Sequence, residues 1–418
     1  MLGWRSGIMA KEDKLLLSHK ANTDILIIGG GIAGTSTAYY LAQYGHEVTL
    51  LERSELATEA SGLNAGTLWQ TGWGAPPSLS STLGMGGLEI LKTLQFDLGY
   101  DLEFRQSGAL KAIQTEEQLD FYQKETYNLR SKGYSIELLT TRDARSLEPE
   151  LSPELFGCMY YPLGGTANPV KTTRAFASAA QQHGARMLLN HEVSAIERLD
   201  NGSYKVVTQQ GDFYTKTLVL AAGPWSRSIG SMLGLHIPVF PVRGQMWSTG
   251  SVPARLFHAL GAAESTLYWH NHPNSNEDTP FELTHRDNIR LTRHLYGRQT
   301  RAGEIIIGGD RQLSSVKTPD KEGIEVNRNH AIEIFPFLRE LPIKRTWAGL
   351  MPFTRNLEPI IGKIPQLEHL YILTGLGSSG FEQGPMSGKL LADCIHNREA
   401  PPILSGADPA RHVRVMPA

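Results

Sequence analysis

A strand, a glycine-rich turn and a helix follow one another near the N-terminus, and this unit constrains the fold more than any other feature. The apolar run Asp24-Ile-Leu-Ile-Ile precedes the turn Gly29-Gly-Gly-Ile-Ala-Gly34, and a helical pattern, Thr35-Ser-Thr-Ala-Tyr-Tyr-Leu-Ala42, follows. Gly29 permits a tight turn, Gly31 lets the backbone approach a pyrophosphate, and Gly34 lets the helix pack closely on the strand. The free N–H groups and positive end of the helix favour phosphate binding. The unit therefore predicts a dinucleotide site.

The carboxylate that ends the next strand narrows the choice of nucleotide. The run His46-Glu-Val-Thr-Leu-Leu-Glu52 has the pattern of a second strand. Its last residue, Glu52, lies about 20 residues beyond the turn, where a carboxylate accepts hydrogen bonds from both ribose hydroxyls. An acid at this position disfavours a 2′-phosphate, so NADP is not expected, while NAD and FAD both stay open.

The segment 59–68 bears on that remaining choice. It contains small residues and two glycines, and it shows neither helical nor strand periodicity. Such a loop wraps a second side of a cofactor through donors on Ser61 and Asn64 and through bare backbone at Ala65 and Gly66. A flexible surface loop is the alternative, and composition favours it equally.

Composition excludes several other classes of protein. A chain of 418 residues is long enough for about two or three domains. Its two cysteines, Cys158 and Cys394, give neither a disulfide framework nor the paired spacing of a zinc site. A net charge of −2 provides no field that attracts nucleic acid. Because no apolar stretch is long enough for a membrane span, we expect a soluble, cytoplasmic chain.

Two patterns alternate along the sequence. Strand and helix patterns follow each other over 24–42, 168–183 and 370–395, which predicts a parallel sheet with helices on its faces. Strand-like runs without helices between them predict an antiparallel sheet; these runs are 205–208, 213–220, 245–248, 266–270 and 304–308. Because the two patterns interleave, we expect two domains that are each discontinuous in sequence.

Several later motifs resemble those of the D-amino-acid-oxidase-like superfamily of FAD enzymes, the group that contains glycine oxidase, sarcosine oxidase and D-amino acid dehydrogenase. The resemblance runs from about residue 24 to residue 395, and the order of the motifs carries it more than any single one. In chain order the motifs are Asn168-Pro-Val, His191-Glu-Val193, Thr217-Leu-Val-Leu-Ala-Ala-Gly-Pro-Trp-Ser226, Pro241-Val-Arg-Gly-Gln245, Trp347-Ala-Gly-Leu-Met-Pro, Pro359-Ile-Ile-Gly362 and Thr374-Gly-Leu-Gly-Ser-Ser-Gly-Phe-Glu-Gln-Gly384.

The resemblance implies both the fold class and the cofactor. The expected fold is α/β plus α+β, with a Rossmann-type FAD-binding domain over 22–92, 165–232 and 345–398. An interleaved antiparallel-sheet substrate domain is expected over 93–164 and 233–344, and terminal extensions over 1–21 and 399–418. We expect non-covalent FAD, because the positions where some relatives attach the flavin through Cys or His carry neither residue. The residues expected to bind FAD are Gly29, Gly31, Ile32, Ala33, Gly34, Glu52, Arg53, Ser61, Asn64, Ala65, Gly66, Thr67, Leu68, Val193, Ala222, Gly223, Trp225, Gly349, Gly377, Ser378, Ser379, Gly380, Phe381 and Glu382.

The resemblance also implies a reaction. FAD takes a hydride from the carbon next to the nitrogen of a primary or secondary amine, an amino acid or a derivative of one, and the product is an imine. Oxygen or another electron carrier is the expected final acceptor, and no metal is expected. The alternatives are FAD-dependent oxidation of a C–O bond and a flavin-binding subunit whose active site has decayed.

One departure from the superfamily pattern concerns substrate recognition. Relatives that act on amino acids typically have Gly-Leu-Arg-Pro where this chain has Gly349-Leu-Met351-Pro, and that Arg binds the substrate carboxylate. Either another Arg compensates, or the substrate lacks a carboxylate at this place. Arg298 is the leading candidate, with Arg243 and Arg355 behind it. The residues expected to line the substrate pocket are Met351, Arg298, Tyr296, His270 and Ser379.

Two further features leave alternatives open. The polar insertion 271–287 is either a lid over the substrate or a long exposed loop. Glu382 places a carboxylate where a reduced flavin accumulates negative charge, so either its side chain turns away or it lowers the redox potential.

Overall fold

The computed structural model describes residues 22–69, 78–273 and 279–416. Its strands are β1 Asn22–Ile28, β2 Val48–Leu51, β3 Thr67–Leu68, β4 Ala109–Ile113, β5 Glu137–Leu139, β6 Gly157–Tyr161, β7 Gly165–Thr166, β8 Arg186–Leu188, β9 Val193–Arg198, β10 Tyr204–Thr208, β11 Gly211–Leu220, β12 Leu235–His236, β13 Phe240–Ser251, β14 Ala259–Ala262, β15 His285–Arg286, β16 Ile289–Arg290, β17 Tyr296–Gln299, β18 Glu304–Leu313, β19 Arg345–Phe353, β20 Ile360–Lys363, β21 Leu370–Thr374 and β22 Arg414–Val415. The expected N-terminal extension 1–21 and part of the insertion, 274–278, lie outside the described residues.

The α-helices are α1 Ile32–Gln43, α2 Ala60–Leu63, α3 Leu79–Lys92, α4 Glu116–Ser131, α5 Thr141–Leu147, α6 Pro169–Gln182, α7 Ser226–Ser231, α8 Glu264–Asn271, α9 Lys321–Ile334, α10 Gly380–Asn397 and α11 Pro409–His412. Short 3₁₀ turns lie at Gly223–Trp225, Pro336–Glu340, Gly377–Ser379 and Pro402–Ala407, and a π-helical turn lies at Thr93–Asp97. Within this part of the chain, no helix combines the length and the apolar character needed to cross a membrane.

An eight-stranded sheet, here called the cofactor sheet, contains the N-terminal unit. Its strand order is β20-β21-β11-β1-β2-β8, and β10 and β9 extend it beside β11. The central strand β1 runs parallel to both β11 and β2. Its residues 25–28 are buried because helices cover one face of the sheet and a second apolar cluster fills the other. This double burial explains the unbroken apolar run in the sequence.

A second eight-stranded sheet, here called the substrate sheet, has the order β19-β13-β18-β17-β14-β4-β6-β5. Only the β14–β4 pair within it is parallel; the other neighbours are antiparallel. The strands of the two sheets interleave along the chain. The predicted fold class is therefore confirmed.

Helices α1 and α10 pack closely against each other, so their N-terminal turns lie side by side. The hydroxyl of Ser36 on α1 donates to the Gly384 carbonyl on α10, 3.2 Å away. A Cβ added at Gly384 would lie 2.8 Å from the Ile32 side chain, so the first turns of the two helices are in contact.

Three details differ from the sequence-based expectations. Residues 345–353 form β19 of the substrate sheet, although the expected boundary assigned them to the cofactor domain. Part of the expected C-terminal extension, β22, pairs with β12. The run 266–270 is not a strand, because it lies within α8; that prediction was wrong, since a short apolar and aromatic run has the same pattern in either state.

Candidate cofactor and substrate site

A cavity of about 600 Å³ lies between the two sheets. One half is formed by the ends of β1 and β2, by the segment 59–67 and by the N-termini of α1 and α10. The other half is formed by β14, β17 and β18 of the substrate sheet and by α8. The two halves are described here as the cofactor half and the substrate half.

The turn after β1 can be formed only by glycine at two positions. Gly29 has a φ of +118°, and a Cβ there would lie 2.3 Å from the Ala221 carbonyl oxygen. A Cβ at Gly34 would lie 2.0 Å from the Gly29 carbonyl oxygen, so α1 approaches the turn as closely as backbone contact allows. Gly31, the N-cap residue of α1, has no side chain with which to cap the helix. The Ile32 N–H donates to Ser61 Oγ at 2.9 Å, which marks the anion-binding end of the helix.

Glu52 is held at the end of β2 by backbone donors. Its Oε2 accepts from the Gly30 N–H at 2.8 Å, and its Oε1 accepts from the Ser54 N–H at 2.9 Å. The next residue, Arg53, stacks on the Trp225 ring, with the guanidinium carbon 3.8 Å from the ring centroid. The carboxylate and this flat surface border the same end of the cavity, as ribose and adenine recognition require.

A second helix N-terminus faces the cavity from the other side. The 3₁₀ turn Gly377–Ser379 leads directly into α10, and in the described chain no side chain caps this end. Two helix N-termini whose N-cap residues, Gly31 and Ser379, make no side-chain cap bond form a donor set for an extended, phosphate-containing cofactor. These observations fit FAD.

Most of the residues expected to bind FAD line the cavity. They are Gly29, Gly31, Ile32, Ala33, Glu52, Arg53, Ser61, Asn64, Thr67, Val193, Ala222, Gly223, Trp225, Gly349, Gly377, Ser378, Ser379, Gly380, Phe381 and Glu382. The remaining four support the lining from behind and are Gly34, Ala65, Gly66 and Leu68.

Glu382 does not turn away from the cavity. It lies in the first turn of α10, borders the cavity, and accepts a hydrogen bond from the Trp69 N–H to its Oε2 at 2.8 Å. Burial raises the pKa of this carboxyl group to about 7, and the Trp69 amide opposes the rise. The group therefore exchanges a proton near neutral pH.

A row of residues across the substrate sheet faces the cavity. Lys111 on β4 pairs with Gly261 on β14, and Gly261 pairs with Tyr296 on β17. The row continues through Gly308 to Met246 on β13. Paired residues on adjacent strands point to the same face. The Trp69 ring covers Gly261 and the Met246 thioether covers Gly308, so both glycines accommodate neighbouring side chains of the cavity wall.

Arg311 enters the cavity because β18 contains a bulge. Gln245 pairs with Gly309 and Arg243 pairs with Gln312, so two residues of β18 stand opposite one residue of β13. The first of them, Asp310, has a φ of +62°. Such a bulge re-aims side chains, and both Asp310 and Arg311 line the cavity.

The Arg311 guanidinium is held in a fixed plane. It lies over the Trp269 ring at 4.6 Å and pairs with the Glu282 carboxylate at 2.6 Å. The neighbouring His294 is neutral, because burial first and the positive charge of Arg311 second lower its pKa well below the usual range. Glu282 belongs to the insertion 271–287, so the described part of that insertion contributes to the cavity lining.

The residues expected in the substrate pocket divide into two groups. Met351, Tyr296 and Ser379 line the cavity. Arg298 lies behind the lining, where it is buried and its Nε donates to the Ala65 carbonyl. His270 is an exposed residue whose ring contacts Phe121 at 4.8 Å.

Two further candidates for carboxylate binding, Arg243 and Arg355, are not among the described residues that line the cavity. Arg243 is buried and donates to the Thr318 carbonyl at 2.9 Å, and its other terminal nitrogen donates to Gln312. Arg355 follows β19 and is likewise outside the lining.

Sequence reasoning missed several cavity residues with chemical character, among them Trp69, Lys111, Glu282, His294, Asp310 and Arg311. For Arg311 a signal exists, because Gly308-Gly309-Asp310 within a strand pattern predicts a bulge. Placing Lys111 at the cavity requires knowing that β4 pairs with β14, and no local sequence pattern contains this pairing.

Comparison with known proteins decides the family. The profile of the family described as "FAD dependent oxidoreductase" matches residues 24–394. The chain belongs to this family. FAD is therefore the cofactor of this oxidoreductase, and the cofactor half of the cavity is the part that fits it.

The relatives and solved structures agree with this assignment. This oxidoreductase is 26% identical over 395 residues to a glycine oxidase from Geobacillus kaustophilus, which covers 93% of the chain and 97% of the relative. It is 26% identical over 434 residues to a D-amino acid dehydrogenase from Neisseria gonorrhoeae, with 90% and 96% covered.

Two crystal structures show the same overall fold. Glycine oxidase from Bacillus cereus has a TM-score of 0.77 at 26% identity, and the match covers 92% of this chain and 98% of that one. L-Proline dehydrogenase from P. horikoshii has a TM-score of 0.78 at 26% identity, with 93% and 97% covered. The resemblance inferred from the motifs is confirmed.

Proposed function

We propose that this oxidoreductase oxidises the C–N bond of an amino acid, or of a derivative of one, to an imine. When bound, FAD supplies the redox chemistry by accepting a hydride equivalent from the substrate. The relatives support an amine substrate, because they include a glycine oxidase and a D-amino acid dehydrogenase. Nothing in the described residues favours the alternatives, oxidation of a C–O bond or a flavin-binding subunit without activity.

The observation that carries the proposal is the position of Arg311. Its guanidinium stands on the substrate half of the cavity, stacked on Trp269 and braced by Glu282. A planar guanidinium binds a carboxylate through parallel N–H donors, and stacking keeps that plane oriented. We therefore assign carboxylate binding to Arg311, which lines the cavity, instead of Arg298, which is buried behind the lining.

The remaining residues of the substrate half orient the substrate and exclude water. Met351, Trp69 and Trp269 supply apolar and aromatic surface beside the charged groups. Tyr296 keeps its proton at neutral pH, because burial raises its pKa to about 12, and its hydroxyl donates to Met246 Sδ at 3.1 Å. No protein nucleophile is needed, since the reacting electrons pass to the cofactor.

Anaerobic titration of the purified yellow protein tests the proposal. The panel consists of D-amino acids, L-amino acids, N-methyl amino acids and cyclic imino acids, and bleaching of the flavin absorbance is the readout. We expect a carboxylate-bearing amine to bleach the flavin. The proposal fails if every such amine leaves it oxidised while dithionite reduces it.

Two arginine variants test the assignment of the carboxylate anchor. Arg311→Met is expected to weaken substrate binding about 10- to 100-fold, because a hydrogen-bonded charge pair is lost. Arg298→Met is expected to lower thermal stability, because the Ala65 carbonyl loses its donor, while KM changes less than about threefold. Equal effects on KM, or a larger effect from Arg298→Met, would contradict the assignment.

The electron acceptor and the cellular location stay predictions. Oxygen as acceptor gives hydrogen peroxide in a one-to-one ratio with oxidised substrate, whereas an electron carrier gives none. A coupled peroxide assay with and without an artificial dye acceptor distinguishes these cases. A cytoplasmic location is tested by fractionation of the cells that express the chain.

A further inference from the structure

Lys111 is a second cation on the substrate half, and the reaction as proposed does not use it. The residue lies on β4 and lines the cavity, and its Nζ donates to Thr266 Oγ1 at 3.3 Å. The ammonium also faces three aromatic rings, with centroids at 5.7 Å for Trp69, 5.8 Å for Tyr122 and 5.7 Å for Tyr161. Among the described residues, no carboxylate lies within 4 Å of it.

The sheet geometry directs Lys111 into the cavity. Its neighbour on β14 is Gly261, which has no side chain to cover the ammonium. The Trp69 ring takes the space above this glycine, because a Cβ there would lie 2.7 Å from the ring. The lysine is therefore packed on its aromatic side and open on its cavity side.

Helix α8 relates Lys111 to Arg311. Thr266 on this helix contacts the Lys111 ammonium, and Trp269 contacts the Arg311 guanidinium. These two helical residues are three positions apart, so their backbones differ by about 4.5 Å along the helix axis. His294 lies near both cations, since its pKa is lowered by burial and then by the charges of Arg311 and Lys111. The two cations thus border one region of the cavity.

The two cations differ in how their charge is balanced. Arg311 already has the Glu282 carboxylate as a partner, whereas Lys111 has a hydroxyl and three rings. Burial lowers the pKa of Lys111, but the hydroxyl groups of Tyr122 and Tyr161 together raise it by more, so the ammonium is charged at neutral pH. When a substrate displaces water from the cavity, a charged group without an anionic partner loses its solvation. An acidic group on the substrate removes that penalty.

We propose that Lys111 binds a second acidic group of the substrate, so that the substrate is an amino acid with an additional carboxylate. Arg311 takes the carboxylate next to the amine, and Lys111 takes the side-chain carboxylate about one helical turn away. This inference rests on the proposed amine oxidation and specifies its substrate class. Amino dicarboxylic acids of the length of aspartate and glutamate span such a separation.

The test compares acidic substrates with neutral ones of the same shape. The pairs are glutamate with glutamine and aspartate with asparagine, each as both enantiomers, and the readout is the rate of anaerobic flavin reduction at low substrate concentration. We expect the acidic member of the preferred pair to react about tenfold faster or more. In Lys111→Met the ratio of acidic to neutral rates is expected to fall by about tenfold or more.

Two controls separate specificity from folding. Lys124→Met removes an exposed lysine of the same domain, and its ratio is expected to equal that of the wild type. Lys111→Gln keeps a polar group beside Thr266, and it is expected to show the same loss of preference as Lys111→Met. A binding measurement independent of turnover uses the dissociation constants of glutarate and valerate, obtained from perturbation of the flavin spectrum. We expect glutarate to bind more tightly than valerate to the wild type, and we expect this difference to be lost in Lys111→Met.

The outcomes distinguish the two proposals. If amines reduce the flavin but neutral members react as fast as acidic ones, the assignment of Lys111 is overturned and the proposed function stands. A different outcome is that Lys111→Met lowers the rates of flavin reduction by acidic and neutral substrates equally. The lysine would then bind the carboxylate that both substrates share, or support the fold, and the proposed second subsite would be overturned. If no amine reduces the flavin, the proposed function itself fails.

Discussion

Replacing Glu382 with Gln removes a carboxylate whose ionisation is opposed by the fold. The glutamine keeps the shape of the side chain, and its oxygen still accepts from the Trp69 N–H that bonds to Glu382 Oε2 at 2.8 Å. The change therefore isolates the charge from the packing. We expect the variant to be more stable than the wild type in a pH-dependent way.

The sign follows from the two pKa values. In the unfolded chain the carboxyl group titrates near 4.5, and burial raises the folded value to about 7. Below 4.5 both states hold the proton, so wild type and variant differ little. As the pH rises from 4.5 to 7, the unfolded chain releases the proton while the folded state keeps it, and the free energy of unfolding of the wild type falls. Above 7 the loss is complete.

The magnitude is a few kcal/mol. At 1.36 kcal/mol for each pH unit, a rise of the pKa from 4.5 to about 7 corresponds to roughly 3 kcal/mol. Because the side chain borders the cavity, water there reduces this value, and we expect about 2 kcal/mol. The stability advantage of Glu382→Gln over wild type should therefore grow by about 2 kcal/mol between pH 5 and pH 8.

Reversible urea titration of the apoprotein at pH 5, 6, 7 and 8 measures this difference. The control is Glu340→Gln, which removes an exposed carboxylate at the end of the 3₁₀ turn Pro336–Glu340. A difference between Glu382→Gln and wild type that stays constant across this pH range would refute the reasoning. The carboxylate would then be charged throughout, stabilised by the N-terminus of α10.

Three further predictions concern the cofactor half. Glu382→Gln should raise the two-electron midpoint potential of bound FAD by about 30 mV or more at pH 8 and by less at pH 6, measured by dye equilibration, because the carboxylate is ionised mainly above pH 7. Gly34→Ala should destabilise the fold by about 1–3 kcal/mol and weaken FAD retention, whereas Gly406→Ala, with open space around the new Cβ, should stay within about 0.5 kcal/mol in the same urea titration. Acid precipitation should leave the yellow colour in the supernatant, since the FAD is expected to be non-covalent; a yellow pellet would contradict this.

The cofactor half was predictable because its information is local. Gly29, Gly34 and Glu52 lie in one short stretch of sequence. The same stretch forms the glycine turn, the N-terminus of α1 and the carboxylate expected to bind the ribose. A motif of this kind determines the backbone geometry locally, so the geometry can be predicted from the motif alone. The distant motif that ends in α10 was also recognised, since its glycines mark a second helix N-terminus at the same cavity.

The substrate half depends on pairing between distant strands, and this is where sequence reasoning fell short. Arg311 reaches the cavity only because a bulge changes which face its side chain takes. Lys111 faces it because β4 pairs with β14, two segments far apart in sequence. Arg298, by contrast, has the right residue type and shares a face of β17 with Tyr296. It lies two residues further along the strand, where it is buried and its Nε donates to the Ala65 carbonyl. Residue type alone does not separate these cases.

The position of Arg311 gives the substitution at Met351 a structural meaning. The superfamily pattern places the carboxylate-binding Arg on β19, and β13 lies between β19 and β18. The two positions are therefore about 10 Å apart across the sheet, at close to 5 Å for each strand.

The Met351 side chain extends over Gly244 of the intervening strand, because a Cβ there would lie 3.1 Å from Met351 Cε. An apolar methyl group thus occupies the space beside a displaced guanidinium. Under the proposed assignment, a substrate held by Arg311 would lie toward β18 and α8, and Thr266 of α8 contacts Lys111. An acidic side chain on that substrate would then extend toward the Lys111 ammonium.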